Sequence, residues 1–375
     1  MLDSLTSRLT PALKLALTVL LISCSTPSTV SPTSQSSATS APTAQTASVP
    51  VSEIDTYLNI LNFIGSFNGS VLIARNGEVF LSKGYGFADR EQKIPNTSQT
   101  KFRIGSITKQ FTATAIVILE AQGKLDVQDH ICRYLSECPE AWETITIHQL
   151  LTHTSGIPNF TSFTDYTRTS ATPSPPEETI NRFKDKPLDF LPGESWSYSN
   201  SGYVLLGQII ERVSGQVYED FLQEHIFTPL QMTDTGYDHN RDDLAVGYKG
   251  IFSKADFVDM SIPYAAGGLY STVEDLYKWD QALYTHQLLQ QDYLDQIFTA
   301  YATIPNLNGM AYGYGWIIGL EEGRQIITHG GGIDGFVTKI ARYPQDKTTI
   351  IMLSNQQNTP IGIIHPVVAK KVFRE

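Results

Sequence analysis

Ser106 and Lys109 are the first residues whose types and spacing suggest chemistry, in the run Phe-Arg-Ile-Gly-Ser-Ile-Thr-Lys-Gln-Phe-Thr that begins at Phe102. A serine hydroxyl is a weak nucleophile that needs a neighbouring base, and a desolvated lysine can serve as one. Ser106 follows Gly105 and opens a strongly apolar stretch. Ile107, Phe111, Ala115 and Ile118 fall on one helical face, with Ile116 and Leu119 on others, so this helix is predicted to be buried nearly all round. Lys109 lies one turn from Ser106 on the same side. A lysine at the start of a helix faces the unfavourable end of the macrodipole, so helix stability does not explain it. The plain alternative is a serine N-cap beside a surface lysine. Ser-x-x-Lys alone is a weak motif, expected about once by chance in a chain of this size.

Two further polar sets follow in the chain. Tyr198-Ser-Asn200 lies inside Pro-Gly-Glu-Ser-Trp-Ser-Tyr-Ser-Asn-Ser-Gly-Tyr, and His329-Gly-Gly-Gly332 closes a predicted strand over Gln325–Thr328. In this order, the three sets resemble the serine β-lactamase-related hydrolases of the penicillin-recognising group: class C β-lactamases, DD-peptidases, D-aminopeptidases and related esterases. The resemblance runs from about residue 52 to the C-terminus, through Leu-Leu-Thr-His-Thr-Ser-Gly at 150–156, Ala-Gly-Gly-Leu-Tyr-Ser-Thr at 266–272 and Tyr-Gly-Tyr-Gly-Trp at 312–316.

The resemblance implies that Ser106 attacks a carbonyl to form an acyl-enzyme while Lys109 and Tyr198 exchange protons. It implies that Asn200 orients Lys109 and the substrate amide, and that the backbone N–H groups of Ser106 and Gly332 form an oxyanion hole. His329, Gly331 and Gly332 would bind substrate. The physics agrees: a helix N-terminus places positive partial charge where the oxyanion develops, and Gly332 lets a strand edge approach closely. For Tyr198 to act as base, its pKa of about 10 must fall toward 7, a shift of roughly 4 kcal/mol. One cation at about 4 Å, with an effective dielectric near 20, supplies about that much. A charged Lys109 is therefore expected to lower the Tyr198 pKa, and the choice of base between the two stays open.

The departure is at His329, where most β-lactamases and many DD-peptidases carry a lysine that holds the substrate carboxylate. An ordinary histidine is only about a quarter charged at pH 7. The expectation is hydrolysis of a D-amino-acid peptide or small ester, including peptidoglycan-derived substrates, with weak or no β-lactam turnover and no cofactor. The alternative is a non-hydrolytic lipoprotein that binds cell-wall peptide or a partner on the same scaffold.

The elements that must position these residues are legible in part. Residues 53–65 have helical spacing in Ile54, Tyr57, Leu58, Leu61 and Ile64. Ser70–Ala74 and Glu78–Ser82 flank Asn76-Gly77, a strong hairpin signal. From about 104 to 260 the pattern is mostly helical, with Ile107–Gln122, Tyr203–Val213 and Tyr218–Glu224 separated by polar loops such as Thr161–Pro176. Strands return at Trp316–Leu320, Gln325–Thr328, Phe336–Tyr343 and Thr348–Leu353, and a helix over about 362–373 closes the chain. The predicted class is α+β: an antiparallel sheet built from the N- and C-terminal segments, flanked by helices, with a mostly helical insert. The resemblance implies the β-lactamase/transpeptidase-like version of that architecture.

The 375-residue chain has a formal net charge of −11 and no Lys/Arg cluster, which excludes nucleic acid as a partner. Residues 1–23 read as a secretory signal, with Arg8 and Lys14 before the apolar run Leu15–Ile22. That run is about half of the roughly 20 residues a membrane-spanning helix needs. Leu21-Ile22-Ser23-Cys24 resembles a bacterial lipobox, so Cys24 is expected to carry the lipid that anchors the protein on a periplasmic or cell-surface membrane face. Residues 24–51, rich in Ser, Thr and Pro, are expected to be a disordered tether, and 52–375 the hydrolase body.

After export Cys132 and Cys138 could pair. On one continuous helix their Cα atoms would sit about 9 Å apart, beyond disulfide reach. A bond requires the chain to break, for which Ser136 before Cys138-Pro139 is a suitable place, and this reading is favoured over two free thiols. His148 and His153 do not share a helical face and have no acidic or cysteine companion, so no metal site is predicted there.

Overall fold

The computed structural model of the protein describes residues 49–250 and 253–374. The predicted signal, Cys24 and the tether up to residue 48 lie outside the described residues. The fold starts slightly earlier than the sequence suggests: Val49 is buried in the core, and helix α1 (Val51–Phe63) begins inside the expected linker.

After α1 comes the hairpin of β1 (Gly69–Arg75) and β2 (Glu78–Tyr85). Its turn residues Asn76 and Gly77 have φ of 53° and 82°, the pair of positive values that an Asn-Gly turn supplies most cheaply. Strands β3 (Phe87–Asp89) and β4 (Ile94–Pro95) form a small two-stranded sheet, and β5 (Phe102–Arg103) leads to helix α2 (Thr108–Ala121). The helical region that follows contains α3 (Asn200–Ser214), terminated by left-handed Gly215 at φ 75°. It also contains β6 (Gly236–Tyr237), and β7 (Leu269–Ser271) closes it. Helix α4 (Val273–Ala282) and the short strands β8 (Ala302–Thr303) and β9 (Ala311–Tyr312) come next. The C-terminal strands are β10 (Ile317–Glu321), β11 (Arg324–Ile333), β12 (Phe336–Tyr343) and β13 (Thr348–Ser354), and helix α5 (Ile361–Val372) ends the chain.

The main sheet has eight strands in the order β2-β1-β13-β12-β11-β10-β9-β8, all antiparallel. The N-terminal hairpin thus pairs with the last strand, as the α+β expectation requires. Successive side chains of a strand point to opposite faces, and β1 and β13 are apolar on both. Val71, Ile73, Ile350 and Met352 pack in the layer that holds residues of α1 and α5. Leu72, Ala74, Ile351 and Leu353 pack in the larger layer with residues of α2, α3 and α4.

Two features place the candidate residues. First, β5 pairs with β7, and the Ile104 N–H donates to the Leu269 carbonyl at 3.0 Å. The two ends of the helical insert are thereby pinned side by side, and Ser106 lies near Ala266. Second, β11 is longer than the predicted Gln325–Thr328: it continues through His329 and all three glycines to Ile333. Glycine weakens a strand locally, but β12 pairs with this whole stretch, whereas β10 pairs only as far as Thr328. Among the described residues the Gly330–Gly332 edge therefore lacks a strand partner on its β10 side.

Cys132 and Cys138 are joined by a disulfide, with Cα atoms 5.4 Å apart. The chain makes a single 3-10 turn at Ile131–Arg133 and then leaves the helical path, the break that disulfide reach demanded. Among the described residues no helix is long and apolar enough to cross a membrane.

Candidate active site

Ser106 does not sit on the α-helix proper. Gly105–Ile107 forms one 3-10 turn, and α2 starts at Thr108. Gly105 has φ +51°, a conformation that glycine adopts without a Cβ penalty, and this sharp entry leaves Ser106 partly exposed. One turn on, Lys109 is fully buried.

Lys109 Nζ has three neighbours: Asn200 Oδ1 at 2.7 Å, the Ala266 carbonyl oxygen at 2.7 Å and Ser106 Oγ at 3.3 Å. Burial disfavours the ammonium and pushes the Lys109 pKa well below its usual value. A neutral amine has two hydrogens and one lone pair. Asn200 Oδ1 and the Ala266 carbonyl can only accept, so they take the two hydrogens. In that unprotonated form the lone pair is left for the Ser106 hydroxyl.

Asn200 opens α3 and is held from three sides. Its N–H donates to Asn159 Oδ1 at 3.0 Å, its Nδ2 donates to Thr161 Oγ1 at 3.0 Å, and its Oδ1 accepts from Lys109. The Nδ2 bond fixes which end of the amide faces Lys109. Asn159, Thr161 and the Ala266 carbonyl were not picked out as site residues in the sequence, because backbone acceptors and short polar side chains in loops carry no spacing signal.

Tyr198 precedes Asn200 on a clamped loop. The His153 carbonyl accepts the Ser197 N–H at 3.0 Å, and His153 Nδ1 accepts the Ser199 N–H at 3.2 Å. His153 itself is buried and left-handed, with φ 61°, and its ring lies 4.3 Å from that of Tyr198. This gives the Thr-His-Thr run a role in shaping the site. His148 is engaged elsewhere, its Nδ1 being 2.7 Å from the Tyr314 hydroxyl.

The expected lowering of the Tyr198 pKa is not seen. Lys109 Nζ sits 4.8 Å from the centre of the Tyr198 ring, and among the described residues the buried phenol hydroxyl has no partner at hydrogen-bond geometry. Burial raises the Tyr198 pKa, and the nearby Ser106 hydroxyl offsets only part of the rise. The expectation assumed a charged Lys109 in a polar medium. Burial disfavours that charge and dominates at the phenol, so Tyr198 stays a neutral phenol and Lys109 is the group better able to take a proton.

His329 also departs from expectation. It is buried, and burial is the main cause that pushes its pKa down to about 3, so it is neutral rather than a quarter charged at pH 7. Its Nδ1–H donates to the Gly330 carbonyl at 2.6 Å, and its Nε2, 2.9 Å from the Tyr312 hydroxyl, accepts from it. With both nitrogens used, His329 has none free to hold a carboxylate. It braces β11 instead.

Of the three glycines after it, Gly331 and Gly332 behave differently, and it is Gly331, not Gly332 as expected, that permits the close approach. A Cβ on Gly331 would lie 1.9 Å from the Ile104 carbonyl oxygen, so glycine is what lets β11 close on the nucleophile turn. Gly332 is exposed, with nothing within 4 Å of an added Cβ. Its amide nitrogen lies against Gly105, 2.9 Å from where a Cβ on that residue would be. The Gly332 and Ser106 amides thus border the same space.

That space is a cleft of about 400 Å³ whose lining includes Ser106, Asn200, Thr161, Tyr166, Gly332 and Asp334. A larger depression of about 640 Å³, bordered by Glu137, Lys184 and Arg212, contains none of the candidate residues.

Comparison with known proteins agrees with this geometry. The sequence profile of the Beta-lactamase family matches residues 64–370. Penicillin-binding protein 4* of Bacillus subtilis (strain 168) is 31% identical over 327 residues, spanning 81% of this chain and 72% of that protein. The putative penicillin-binding protein PbpX of the same strain is 34% identical, spanning 82% and 76%. Among solved structures, the octameric penicillin-binding protein homologue from Pyrococcus abyssi superposes with a TM-score of 0.76 at 30% identity, covering 86% of this chain and 77% of that one. The D-amino acid amidase from Ochrobactrum anthropi SV3 complexed with L-phenylalanine amide gives 0.77 at 26% identity, covering 86% and 98%. The cleft, its Ser-Lys pair and the antiparallel sheet behind them are thus those of a β-lactamase/transpeptidase-like fold, and the chain belongs to the Beta-lactamase family of serine hydrolases.

Proposed function

We propose that this protein is an exported serine hydrolase that forms an acyl-enzyme on Ser106 and cleaves an amide or ester bond. The observation that carries the reading is the environment of Lys109: buried, its pKa pushed well down, and its Nζ within hydrogen-bond reach of Asn200 Oδ1, the Ala266 carbonyl and Ser106 Oγ. Ser106 Oγ attacks the substrate carbonyl carbon while its proton passes to Lys109 Nζ. The oxyanion that forms is met by the Ser106 and Gly332 N–H groups, at the positive end of the α2 dipole. As the tetrahedral species collapses, the leaving nitrogen or oxygen takes the proton from Lys109 by way of the Tyr198 phenol. Water then attacks the acyl ester, giving its proton to Lys109, which returns it to Ser106 Oγ as the acyl C–Oγ bond breaks and the acid is released.

The penicillin-binding protein and D-amino acid amidase relatives support a D-amino-acid peptide, amide or ester, including peptidoglycan-derived compounds, as substrate. Neutral His329 leaves no cation to hold a β-lactam carboxylate, so β-lactam turnover is weak at most. A lipid on Cys24 holds the body at a periplasmic or cell-surface membrane face.

The test is hydrolysis of a p-nitrophenyl ester and of nitrocefin by the wild type and by Ser106→Ala. Ester hydrolysis is expected, reduced at least about 10³-fold by the substitution, with nitrocefin turned over far below the rate of a resistance enzyme. An inactive wild type, or a Ser106→Ala variant of equal activity, contradicts the proposal.

A further inference from the structure

The charge of the candidate cleft is unusual for a site that must grip a substrate. Among the described residues that line it there is no lysine, arginine or histidine, and Asp334 is the one acidic side chain. Asp334 and Gly335 form the two-residue turn between β11 and β12, immediately after the glycine edge. Asp334 lines the same cleft as Ser106 and Gly332, two residues on from the glycine whose amide borders the nucleophile turn.

Asp334 has no hydrogen bond or ion pair among the described residues. The cations whose fields reach it are committed elsewhere: Lys249 pairs with Asp256, and Arg103 pairs with Asp238 at 2.7 Å. Partial burial and Asp256 raise its pKa, while Lys249 and Arg103 oppose the rise. A half-buried carboxylate without a partner is costly, and a bound cation removes that cost. A substrate carboxylate at this end would instead meet like charge with no compensating cation.

We propose that Asp334 is the specificity-determining residue of this cleft and takes the protonated amine of an aminoacyl ester or amide whose carbonyl lies at Ser106. This deepens the hydrolase reading and rests on it. The preferred substrate has an unblocked amino group near the scissile carbonyl. Compounds recognised through a free carboxylate are disfavoured.

The test uses D-phenylalanine amide and N-acetyl-D-phenylalanine amide, which differ in the cationic amine. Their binding to the Ser106→Ala variant is measured by titration calorimetry, with and without Asp334→Asn. Turnover of the matching methyl esters is measured on the otherwise native protein. The free amine is expected to bind about tenfold more tightly than its acetylated form, with a similar ratio in kcat/KM. Asp334→Asn brings both ratios close to one, Asp334→Ser does the same, and Asp334→Glu keeps the preference. Equal affinity for the two amides, no measurable binding of the free amine, or a preference that survives Asp334→Asn overturns the proposal. The binding arm needs no turnover. A selective but inactive wild type would overturn the hydrolase reading alone, whereas an active but unselective one would overturn only the role of Asp334.

Discussion

At the scale of single residues, the proposed chemistry turns on one buried amine. Ser106, Lys109, Tyr198 and Asn200 could be found in the sequence because their order and spacing survive without structure. Their protonation states could not, because these depend on burial by segments far away in the chain. Lys109 is desolvated by the Tyr198 and Tyr203 rings, 4.8 and 5.3 Å from Nζ, and held by the Ala266 carbonyl from the other end of the insert. The same burial keeps Tyr198 a phenol, which suits it to give a proton to a leaving group rather than to activate Ser106. Tyr198→Phe is therefore expected to separate two substrate types. An ester with a p-nitrophenolate leaving group, which departs without a proton, should lose less than about tenfold in kcat. An amide, whose leaving nitrogen must be protonated, should lose about 10²–10⁴-fold. Equal losses on both substrates would return Tyr198 to the role of base.

At the scale of elements, the site depends on how closely one strand approaches one turn. The hairpin, α2, α3 and the C-terminal strands were readable from period and turn residues. The extension of β11 through Gly330, Gly331 and Gly332 was not, because a glycine run reads as a strand end and only the pairing with β12 makes it strand. Gly331 and Gly332 have different requirements, and this yields a paired prediction. Gly331→Ala places a methyl group against the Ile104 carbonyl oxygen and must push β11 away from the Ser106 turn. It should lose stability, by about 1–3 kcal/mol as overpacking does, together with activity. Gly332→Ala meets no protein atom and should melt within about 2 °C of the wild type, while its methyl group enters the cleft and lowers kcat/KM at least about tenfold. Thermal melts and ester kinetics on the two variants decide this, and equal losses of stability would contradict it.

At the scale of the whole molecule, the sheet is closed by the first hairpin pairing with the last strand, and the insert is closed by β5 pairing with β7. Both are long-range pairings. The α+β class was legible because strands at both ends of the chain have no other partners, whereas strand order and the burial of β1 and β13 on both faces emerge only from the assembled layers. The Cys132–Cys138 disulfide, six residues apart, closes too small a loop to hold such a structure together. Replacing both cysteines by serine should lower unfolding stability in urea by about 2 kcal/mol and leave ester hydrolysis intact; loss of activity in a folded variant would show that the loop contributes to the cleft. The central claim, that Lys109 is neutral in the folded protein and activates Ser106, is tested most directly by the pH dependence of Ser106 labelling with an uncharged fluorophosphonate. A depressed pKa means that the reactive, unprotonated amine appears as pH rises through it. The predicted labelling rate climbs through a midpoint well below the usual lysine value of about 10.5, then stays level, and Lys109→Ala lowers it about 10²–10⁴-fold and removes the limb. A wild-type rate that climbs only near pH 10, or no label on Ser106 at any pH, would contradict the account.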